Sequence, residues 1–549
     1  MKASLKYTIL LILIFLIFIG NIVYWQSQNK AYFDYDSLRH YMTSIQLFDD
    51  YRLGFNGLAS RISMYLNIGK HLPGVPFISS LLYFLIIPTQ KSAVLINDAV
   101  FLIILLFSLF NLARLVQNEK LGLLSCIIAL LYPIVFNQAK IYMLDLPLLS
   151  LAVLNMYLLI KAGYFKDRKY TILYIVSFFC GMMIKLNFLF FATGPLLYVI
   201  FKSFRNKEIK VRYFLTIGAI FIILSVGYFF TLPAYDKNLL SGLAGNQVAT
   251  WTSRDMAAVP FLIHKIRAIF WYIWGFINWQ GGFLFFILFL WGLVKFIKSN
   301  ALHKKIVIAG LFSSYFMLSW FLYAMDFDME VTGVRYAMPL LGVIALITSY
   351  GLLNIGKAIL RKVAIVSVLI FGTVNAAFLS FPILKDPLVL KLDISQDRYH
   401  ILPSYINIFS TKPLIISGSS WTSHPQDKSM LYKEMEDVFF FINKFYKDKE
   451  IKVLLFSDNA AWWHLKYLAY MHNRGITFFC DYAMLIRQFK GYAGANAVKE
   501  GDFVIELKNE FTEPYLEKVN KAFKKLFEKE KIKFYLIKEG TFYRLLKRS

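Results

Sequence analysis

The stretch TILLILIFLIFIGNIVYW, residues 8–25, contains no charged side chain. As an α-helix it is long enough to cross a hydrocarbon core about 30 Å thick, which takes roughly 20 residues. A chain in lipid must satisfy its backbone hydrogen bonds within each segment, so this run must be helical. Lys2 and Lys6 precede it. A cleaved signal peptide would have a shorter apolar core and a small-residue cleavage site, neither of which is evident, so we expect a retained membrane helix.

Similar apolar runs recur along the chain. Of its 549 residues 58% are hydrophobic and 18% aromatic, and the mean hydropathy is +0.53. Soluble domains contain only about 45–50% apolar residues, and the alternating pattern of a membrane β-barrel is absent. The sequence therefore predicts a polytopic α-helical membrane protein with about eleven transmembrane helices. The predicted spans are 8–25, 92–113, 121–140, 146–160, 170–184, 186–201, 213–231, 281–297, 306–324, 337–356 and 363–382.

The distribution of Lys and Arg predicts the orientation of these spans. With the N-terminus in the cytoplasm, every short and strongly basic loop falls on the cytoplasmic side, as the positive-inside rule requires. These loops lie at 114–120, 161–169, 202–212, 295–305 and 357–362. An odd number of spans then places the C-terminus outside. The compact loops favour a bacterial inner (plasma) membrane.

The net charge of +26 raises the question of a nucleic-acid partner. Because the basic residues cluster between apolar runs, we assign them to membrane topology and expect no nucleic acid. The three cysteines lack the Cys-His spacing of a zinc site.

Longer segments are predicted on the outer face. They are the loops 26–89, 233–280 and 325–336, together with a short turn at 142–145. Within the first loop, the apolar stretch 77–88 is too short to span, so we predict an interfacial or re-entrant helix.

The composition changes after Phe381. Short apolar runs at 413–417, 452–456, 477–479, 503–507 and 533–537 are typical of strands, and residues 431–448, 459–474 and 513–530 favour helices. We predict a transmembrane domain over 1–382 and a soluble extracytoplasmic α/β domain over 383–549. The latter has no G-x-G-x-x-G or P-loop motif.

Carboxylates near a membrane interface are costly to desolvate and are therefore candidates for function. Asp36 and His40 are spaced i, i+4, so a helix would put both on one face as a base and its orienting partner. Asp34 is a rival base, and a solvated loop is the structural alternative.

Asp145 precedes Pro147 at the start of a predicted helix. There it could cap the helix, act in a site, or do both.

Cations on the predicted outer face could bind a phosphate. Lys70 and His71 lie in a stiff Pro- and Gly-containing turn, Lys70–Pro76. Lys185 lies between two apolar runs, against the general charge bias, and Arg335 opens a later span with Tyr336. The alternative for the lysines is snorkelling. For Arg335 the alternative to a phosphate is an ion pair with Asp326, Asp328 or Glu330.

Taken in order, these residues resemble the GT-C superfamily of membrane glycosyltransferases over about residues 1–345. The branch they resemble contains the protein O-mannosyltransferases and the lipid A aminoarabinose transferase. Asp36-Ser37-Leu38-Arg39-His40-Tyr41 resembles the family's Asp-Glu motif, with Ser37 where a second acid is usual. Lys70–Pro76 is similar to a proline-rich turn of the family, although its two prolines are separated here.

Three further stretches carry the resemblance. Asp145 matches the acid of the family's second outer loop, and Gly181–Lys185 resembles a stretch whose Lys meets the lipid phosphate. Arg335-Tyr336-Ala337-Met338-Pro339 resembles an Arg-Tyr-x-x-Pro stretch that opens a later helix.

The resemblance implies inverting transfer of a sugar from a polyprenyl-phosphate donor to a hydroxyl of a lipid, glycan or protein acceptor. Asp36 would be the catalytic base, and Asp145 and His40 would orient the acceptor or the base. Lys185 and Arg335 would bind the donor phosphate, with Lys70 and His71 as further candidates. Some superfamily members use a divalent metal, for which no clear ligand set is present.

Two other classes of function compete with this hypothesis. A flippase or transporter of lipid-linked sugars would be expected to show inverted repeats and broken helices near the midplane, and no repeat is found. A non-catalytic scaffold that has kept the fold is the second alternative, because Ser37 replaces an acid.

Overall fold

The computed structural model describes most of the membrane part and pieces of the C-terminal part. The described residues are 2–28, 35–52, 74–163, 165–206, 261–298, 301–321, 331–380, 388–391, 405–409, 425–445, 450–456, 465, 468–469, 476–479, 502–507, 533–540 and 543–548. The chain divides into two compact units. The first contains Met1–Gln26 and Thr43–Leu414, and the second contains Ser27–Met42 and Ile415–Ser549.

Helices dominate the described chain up to residue 380. They are α1 (Lys2–Gln28), α2 (Tyr35–Arg52), α3 (Gly74–Leu82), α4 (Gln90–Val116), α5 (Glu119–Leu131), α6 (Pro133–Gln138), α7 (Asp145–Lys161), α8 (Arg168–Ile184), α9 (Leu189–Arg205), α10 (Phe261–Gly275), α11 (Phe283–Ile297), α12 (Leu302–Phe321), α13 (Leu341–Leu353) and α14 (Ala358–Ser380). Short 3-10 segments at Leu186–Phe188 and Val331–Leu340 precede α9 and α13, and a π-helical segment, Phe276–Gln280, follows α10.

Side-chain caps fix the N-termini of three long helices. Thr89 and Ser92 form a reciprocal capping box at the start of α4. The Asn118 side chain accepts from the Leu121 amide at 3.0 Å at the start of α5, and Asp167 accepts from the Tyr170 amide at 3.1 Å before α8. Each cap satisfies an amide that has no partner within its helix.

The predicted spans coincide with helices wherever the structure describes them, and 213–231 lies outside the described residues. Five described helices are long and apolar enough to cross a membrane: Leu5–Ser27, Gln90–Val116, Leu186–Arg205, Arg335–Leu353 and Ala358–Leu379. The predicted span 121–140 is interrupted, because α5 ends at Leu131 and Pro133 opens α6. Proline lacks an amide donor and suits this first helical position.

The apolar stretch predicted at 77–88 is helical only as far as Leu82. Beyond it Leu85 and Ile87 are exposed. A short helix followed by exposed apolar residues agrees with the predicted interfacial segment.

Helix α7 lies at the centre of the first unit. It packs against α4, α8 and the Val331–Leu340 segment, and it is buried along most of its length. Elsewhere α11 and α13 approach closely. A Cβ added to Gly351 would lie only 2.5 Å from the Gly292 Cα. Small residues at such a crossing bring helix backbones together, as is common in membranes.

Two strands, β1 (Leu388–Lys391) and β2 (Tyr405–Phe409), pair antiparallel in the first unit. The sequence did not predict them. The predicted strand 413–417 lies outside the described residues.

The second unit contains helix α15 (Pro425–Phe445) and a five-stranded sheet. Its strands are β3 (Ile451–Phe456), β4 (Ile476–Phe479), β5 (Phe503–Leu507), β6 (Phe534–Glu539) and β7 (Tyr543–Arg548). The order is β4-β3-β5-β7-β6, with β3 parallel to β4 and β5, and β7 antiparallel to β5 and β6. The C-terminal strands thus confirm the predicted α/β character, although β7 was not predicted. Of the other predicted helices, Leu465, Leu468 and Ala469 are helical within 459–474, and 513–530 lies outside the described residues.

One face of α15 covers this sheet. Met435, Val438, Phe439 and Ile442 recur at helical spacing and are buried with sheet residues that include Val453. Burial raises the pKa of the Tyr543 phenol to about 12, and the Glu434 and Asp437 carboxylates act in the same direction.

Candidate functional site

Asp145 is the first residue of α7, and its side chain is 1% exposed. The residue in the N-cap position is Leu144, and no side chain caps the helix there. The interpretation of Asp145 as an N-cap is therefore wrong. Instead, its carboxylate forms ion pairs with cations from two other elements.

Contacts to three other helices hold the turn that leads into Asp145. The Tyr142 hydroxyl donates to Ser79 Oγ of α3 at 2.7 Å, and Asn97 Nδ2 of α4 donates to the Met143 carbonyl at 3.4 Å. Lys140 Nζ donates to the Leu379 carbonyl at the end of α14, also at 2.7 Å. These contacts fix the place from which Asp145 enters the site.

Lys185 follows the last residue of α8, in extended conformation. Its Nζ donates to Asp145 Oδ1 at 3.3 Å and lies 4.5 Å from the centre of the Tyr336 ring. The side chain is 11% exposed. An ammonium has three donor hydrogens, so this lysine can accommodate further acceptors.

Two glycines shape the end of α8 that carries Lys185. A Cβ on Gly181 would lie 2.5 Å from the Phe188 ring, so only glycine lets the chain fold back there. A Cβ on Gly74, at the start of α3, would lie 2.7 Å from the Met183 carbonyl oxygen. Gly74 and Met183 are thus neighbours in the fold although they lie 109 positions apart in the sequence.

Arg335 belongs to the 3-10 segment Val331–Leu340, which packs against α7. Its Nε lies 3.9 Å from Asp145 Oδ2, and its guanidinium carbon lies 5.7 Å from the Tyr336 ring centre. Like Lys185 it is largely withdrawn from solvent. Arg335 therefore pairs with Asp145, whereas Asp326, Asp328 and Glu330, the partners predicted for it, lie outside the described residues.

Asp145, Lys185, Arg335 and Tyr336 form what we term the charged cluster. Two cations share one carboxylate, so these groups together carry more positive than negative charge. At low exposure the electrostatic effect of such groups is stronger than in water. The geometry suits an anionic ligand with several oxygens, such as a phosphate.

Of the predicted site residues, the structure places Asp145, Lys185 and Arg335 in this cluster. Asp36 lies in α2, but its side chain is outside the described part, as are Asp34, Lys70 and His71 altogether. His40 and Ser37, also on α2, are buried. Asp36 and His40 both belong to the helical backbone of α2, and their roles stay a prediction.

Sequence reasoning missed four buried polar residues. Asp98 of α4 is fully buried, and neither of its carboxylate oxygens has a hydrogen-bond partner among the described residues. Its presence inside an apolar span was the available signal. Asn137, Gln138 and Lys140 are also buried, near the C-terminal end of the predicted span 121–140.

The described residues contain no group of three or more His, Cys, Asp or Glu side chains that could hold a metal ion.

Comparisons with known proteins bear on the fold. A family model described as dolichyl-phosphate-mannose-protein mannosyltransferase matches residues 70–229, which include Asp145 and Lys185. No curated protein matches the sequence.

Two solved structures resemble the whole chain. One is ArnT from Cupriavidus metallidurans bound to undecaprenyl phosphate, with a TM-score of 0.54, 11% identity and 98% of each chain covered. The other is the same protein in the apo state, with a TM-score of 0.56, 11% identity, and 99% of this chain and 98% of that one covered. The chain therefore has the fold of these two ArnT structures, which agrees with the resemblance on which the fold was predicted.

Proposed function

We propose that this chain is an integral membrane glycosyltransferase that moves a sugar from a polyprenyl-phosphate donor to an acceptor hydroxyl. The observation that carries the proposal is the charged cluster, in which Lys185 and Arg335 share Asp145 inside a GT-C fold. ArnT, which shares this fold, has been crystallised with undecaprenyl phosphate. A cationic cluster at helix ends is what binding of a lipid phosphate requires.

The reaction in this proposal is a displacement at the anomeric carbon. A base removes the proton of the acceptor hydroxyl while the hydroxyl oxygen forms the new bond to that carbon. The bond from carbon to phosphate oxygen breaks, and its electron pair stays on the phosphate. The leaving group changes from a singly charged diester to a more highly charged monoester, so cations that contact it stabilise the transition state more than the ground state.

Lys185 and Arg335 are the cations proposed for this role, with Lys70 and His71 as additional phosphate contacts. Asp145 contacts both Lys185 and Arg335. It is therefore proposed as a positioning residue. Its negative charge offsets the repulsion between the two cations and keeps them in place until the donor phosphate binds.

Asp36 is the proposed base, with His40 as its orienting partner and Asp34 as the rival base. Attack by the acceptor opposite the leaving phosphate inverts the anomeric centre. The positive-inside pattern supports a reaction on the outer face of a bacterial inner membrane, with the N-terminus cytoplasmic and the 383–549 domain outside. The acceptor is a lipid, glycan or protein hydroxyl.

The identity of the base is tested with Asp36→Asn and Asp34→Asn in purified protein. We expect Asp36→Asn to abolish sugar transfer while polyprenyl phosphate still raises the melting temperature as it does for wild type. Asp34→Asn should retain transfer. Loss of transfer in Asp34→Asn alone would move the base to Asp34, and normal transfer in both variants would contradict a carboxylate base in this segment.

A further inference from the structure

A second polar group lies beside the charged cluster, in and just after the short helix α6. Asn137, Gln138 and Lys140 follow one another here and all are buried. Helix α6 packs against α14, the Phe276–Gln280 segment, the Val331–Leu340 segment and α7. The last two of these carry Arg335 and Asp145, so this stretch adjoins the charged cluster.

The ammonium of Lys140 has unusual surroundings for a buried cation. The residue is 3% exposed. Its Nζ donates to the Leu379 carbonyl and lies 4.3 Å from the Phe136 ring centre and 5.0 Å from the Trp25 ring centre. No carboxylate pairs with it among the described residues. One carbonyl and two aromatic faces replace only part of the lost hydration of an ammonium, and two of its three donor hydrogens remain for a ligand.

The neighbouring amides point independently to a ligand. Asn137 and Gln138 are 4% and 1% exposed, and in both side chains the oxygen and the nitrogen have no hydrogen-bond partner among the described residues. Buried amides are normally satisfied, so four unpaired polar atoms in two consecutive residues call for hydroxyl groups or water as partners. The Lys140 amide donates to the Asn137 carbonyl, which places both residues on one helical turn.

We propose that Asn137, Gln138 and Lys140 form a subsite for a hydroxylated substrate group with a negative charge, separate from the donor phosphate. The amides bind hydroxyls, the ammonium binds a carboxylate or phosphate, and the Trp25 ring lines the same position. This inference rests on the proposed function, since it assigns a charge to one of the two substrates. The charged group belongs to either the donor sugar or the acceptor.

Binding is tested without turnover, on full-length protein in detergent with polyprenyl phosphate at saturation. The probes are glucuronate and glucose, which differ in a carboxylate, and the readout is the melting temperature. We expect glucuronate to stabilise wild type more than glucose does, and Lys140→Met to lose this difference. Met keeps much of the aliphatic stem over Phe136 and removes the charge.

Lys304→Met is the matched control. Lys304 is a second buried lysine, whose Nζ donates to the Tyr350 hydroxyl at 2.7 Å and lies over the Tyr350 and Phe296 rings. It should keep the glucuronate effect. Without ligand, Lys140→Met should melt close to wild type, because the loss of the hydrogen bond to the Leu379 carbonyl is offset by removal of a buried charge that has no carboxylate partner among the described residues.

A second variant keeps the subsite testable if Lys140→Met does not fold. Asn137→Leu replaces an unpaired amide by an apolar group of similar size, which is tolerated when no partner is lost, and it should weaken binding of both probes. Equal stabilisation of wild type by glucuronate and glucose, or an unchanged glucuronate effect in Lys140→Met, would overturn the subsite. A failure of polyprenyl phosphate itself to stabilise wild type would instead count against the proposed function.

Kinetics then identify which substrate carries the charge. If the donor sugar carries the charge, Lys140→Met should raise only the KM of the donor. If the acceptor carries the charge, Lys140→Met should raise only the KM of the acceptor. A lower kcat with both KM values unchanged would contradict a binding subsite.

Discussion

At the scale of single residues, the charged cluster depends on contacts between distant parts of the sequence. Asp145, Lys185 and Arg335 were each predicted as candidates, but local patterns left a structural alternative beside every one. The cap interpretation of Asp145 failed because local sequence does not show that a cation 40 positions away reaches the carboxylate. The unpaired Asn137 and Gln138 were missed because amides within an apolar run give no periodic signal.

Lys185→Met should weaken use of the donor. A hydrogen bond to a charged group contributes about 1.5–3 kcal/mol, which corresponds to roughly 10- to 150-fold in the KM of the donor, while the KM of the acceptor stays constant. Lys161→Met is a suitable control, because Lys161 also lies over an aromatic ring, that of Tyr170, but at the other end of α7. Equal effects on both substrates, measured by steady-state kinetics, would argue against a phosphate role.

Asp145→Asn should lower the free energy of unfolding, because it leaves two largely buried cations without the carboxylate that they share. Breaking a buried ion pair costs about 3–5 kcal/mol, and the partial exposure of both cations reduces this. Polyprenyl phosphate should then raise the melting temperature of the variant more than that of wild type, since the phosphate replaces the missing negative charge. Identical ligand-induced shifts in the two proteins would contradict the positioning role.

At the scale of helices and strands, the length of the apolar runs was sufficient where one element decides its own boundaries. The predicted spans coincide with helices where the structure describes them, although α2 and α10 lie in segments that were predicted as outer loops. Prediction failed for the strands β1, β2 and β7, because strand pairing joins residues far apart in the sequence. At the interruption before Pro133 the local signal was present but missed, since a proline favours a helix start.

The contact between α3 and α8 makes a prediction at this scale. Gly74→Val places a side chain against the Met183 carbonyl oxygen, which belongs to the backbone and cannot move away by a change of rotamer. We expect the end of α8 to move, with a loss of about 1–3 kcal/mol in stability and a higher KM for the donor through displacement of Lys185.

Gly20→Val is the matched control, because a Cβ on Gly20 meets nothing within 4 Å. It should leave melting temperature and kinetics close to those of wild type. A Gly74→Val protein with wild-type donor KM would show that the close approach to Met183 does not position Lys185.

At the scale of the whole molecule, composition alone predicted a polytopic helical membrane protein, and the fold comparison bears this out. The division of the chain was harder to foresee. Ser27–Met42 group with the C-terminal unit and the first unit extends to Leu414, while the predicted domain boundary at residue 382 stays a prediction. Such grouping depends on contacts between remote segments, which no local shift in composition reveals.

The proposed orientation can be tested by cysteine labelling in a background without the three native cysteines. Lys433 on α15 and Lys357 before α14 are both exposed. A membrane-impermeant maleimide should label Lys433→Cys in intact cells and Lys357→Cys only after permeabilisation. The opposite pattern would overturn the assignment of the C-terminal domain to the outer side.

The central claim is that this chain releases polyprenyl phosphate by transferring its sugar. The most direct measurement incubates purified protein with a panel of radiolabelled polyprenyl-phosphate sugars and envelope extract as acceptor. We predict that wild type releases polyprenyl phosphate from at least one donor and that Asp36→Asn releases it from none. Folded wild-type protein that releases none from any donor would contradict the account and favour transport of lipid-linked sugars or a non-catalytic role.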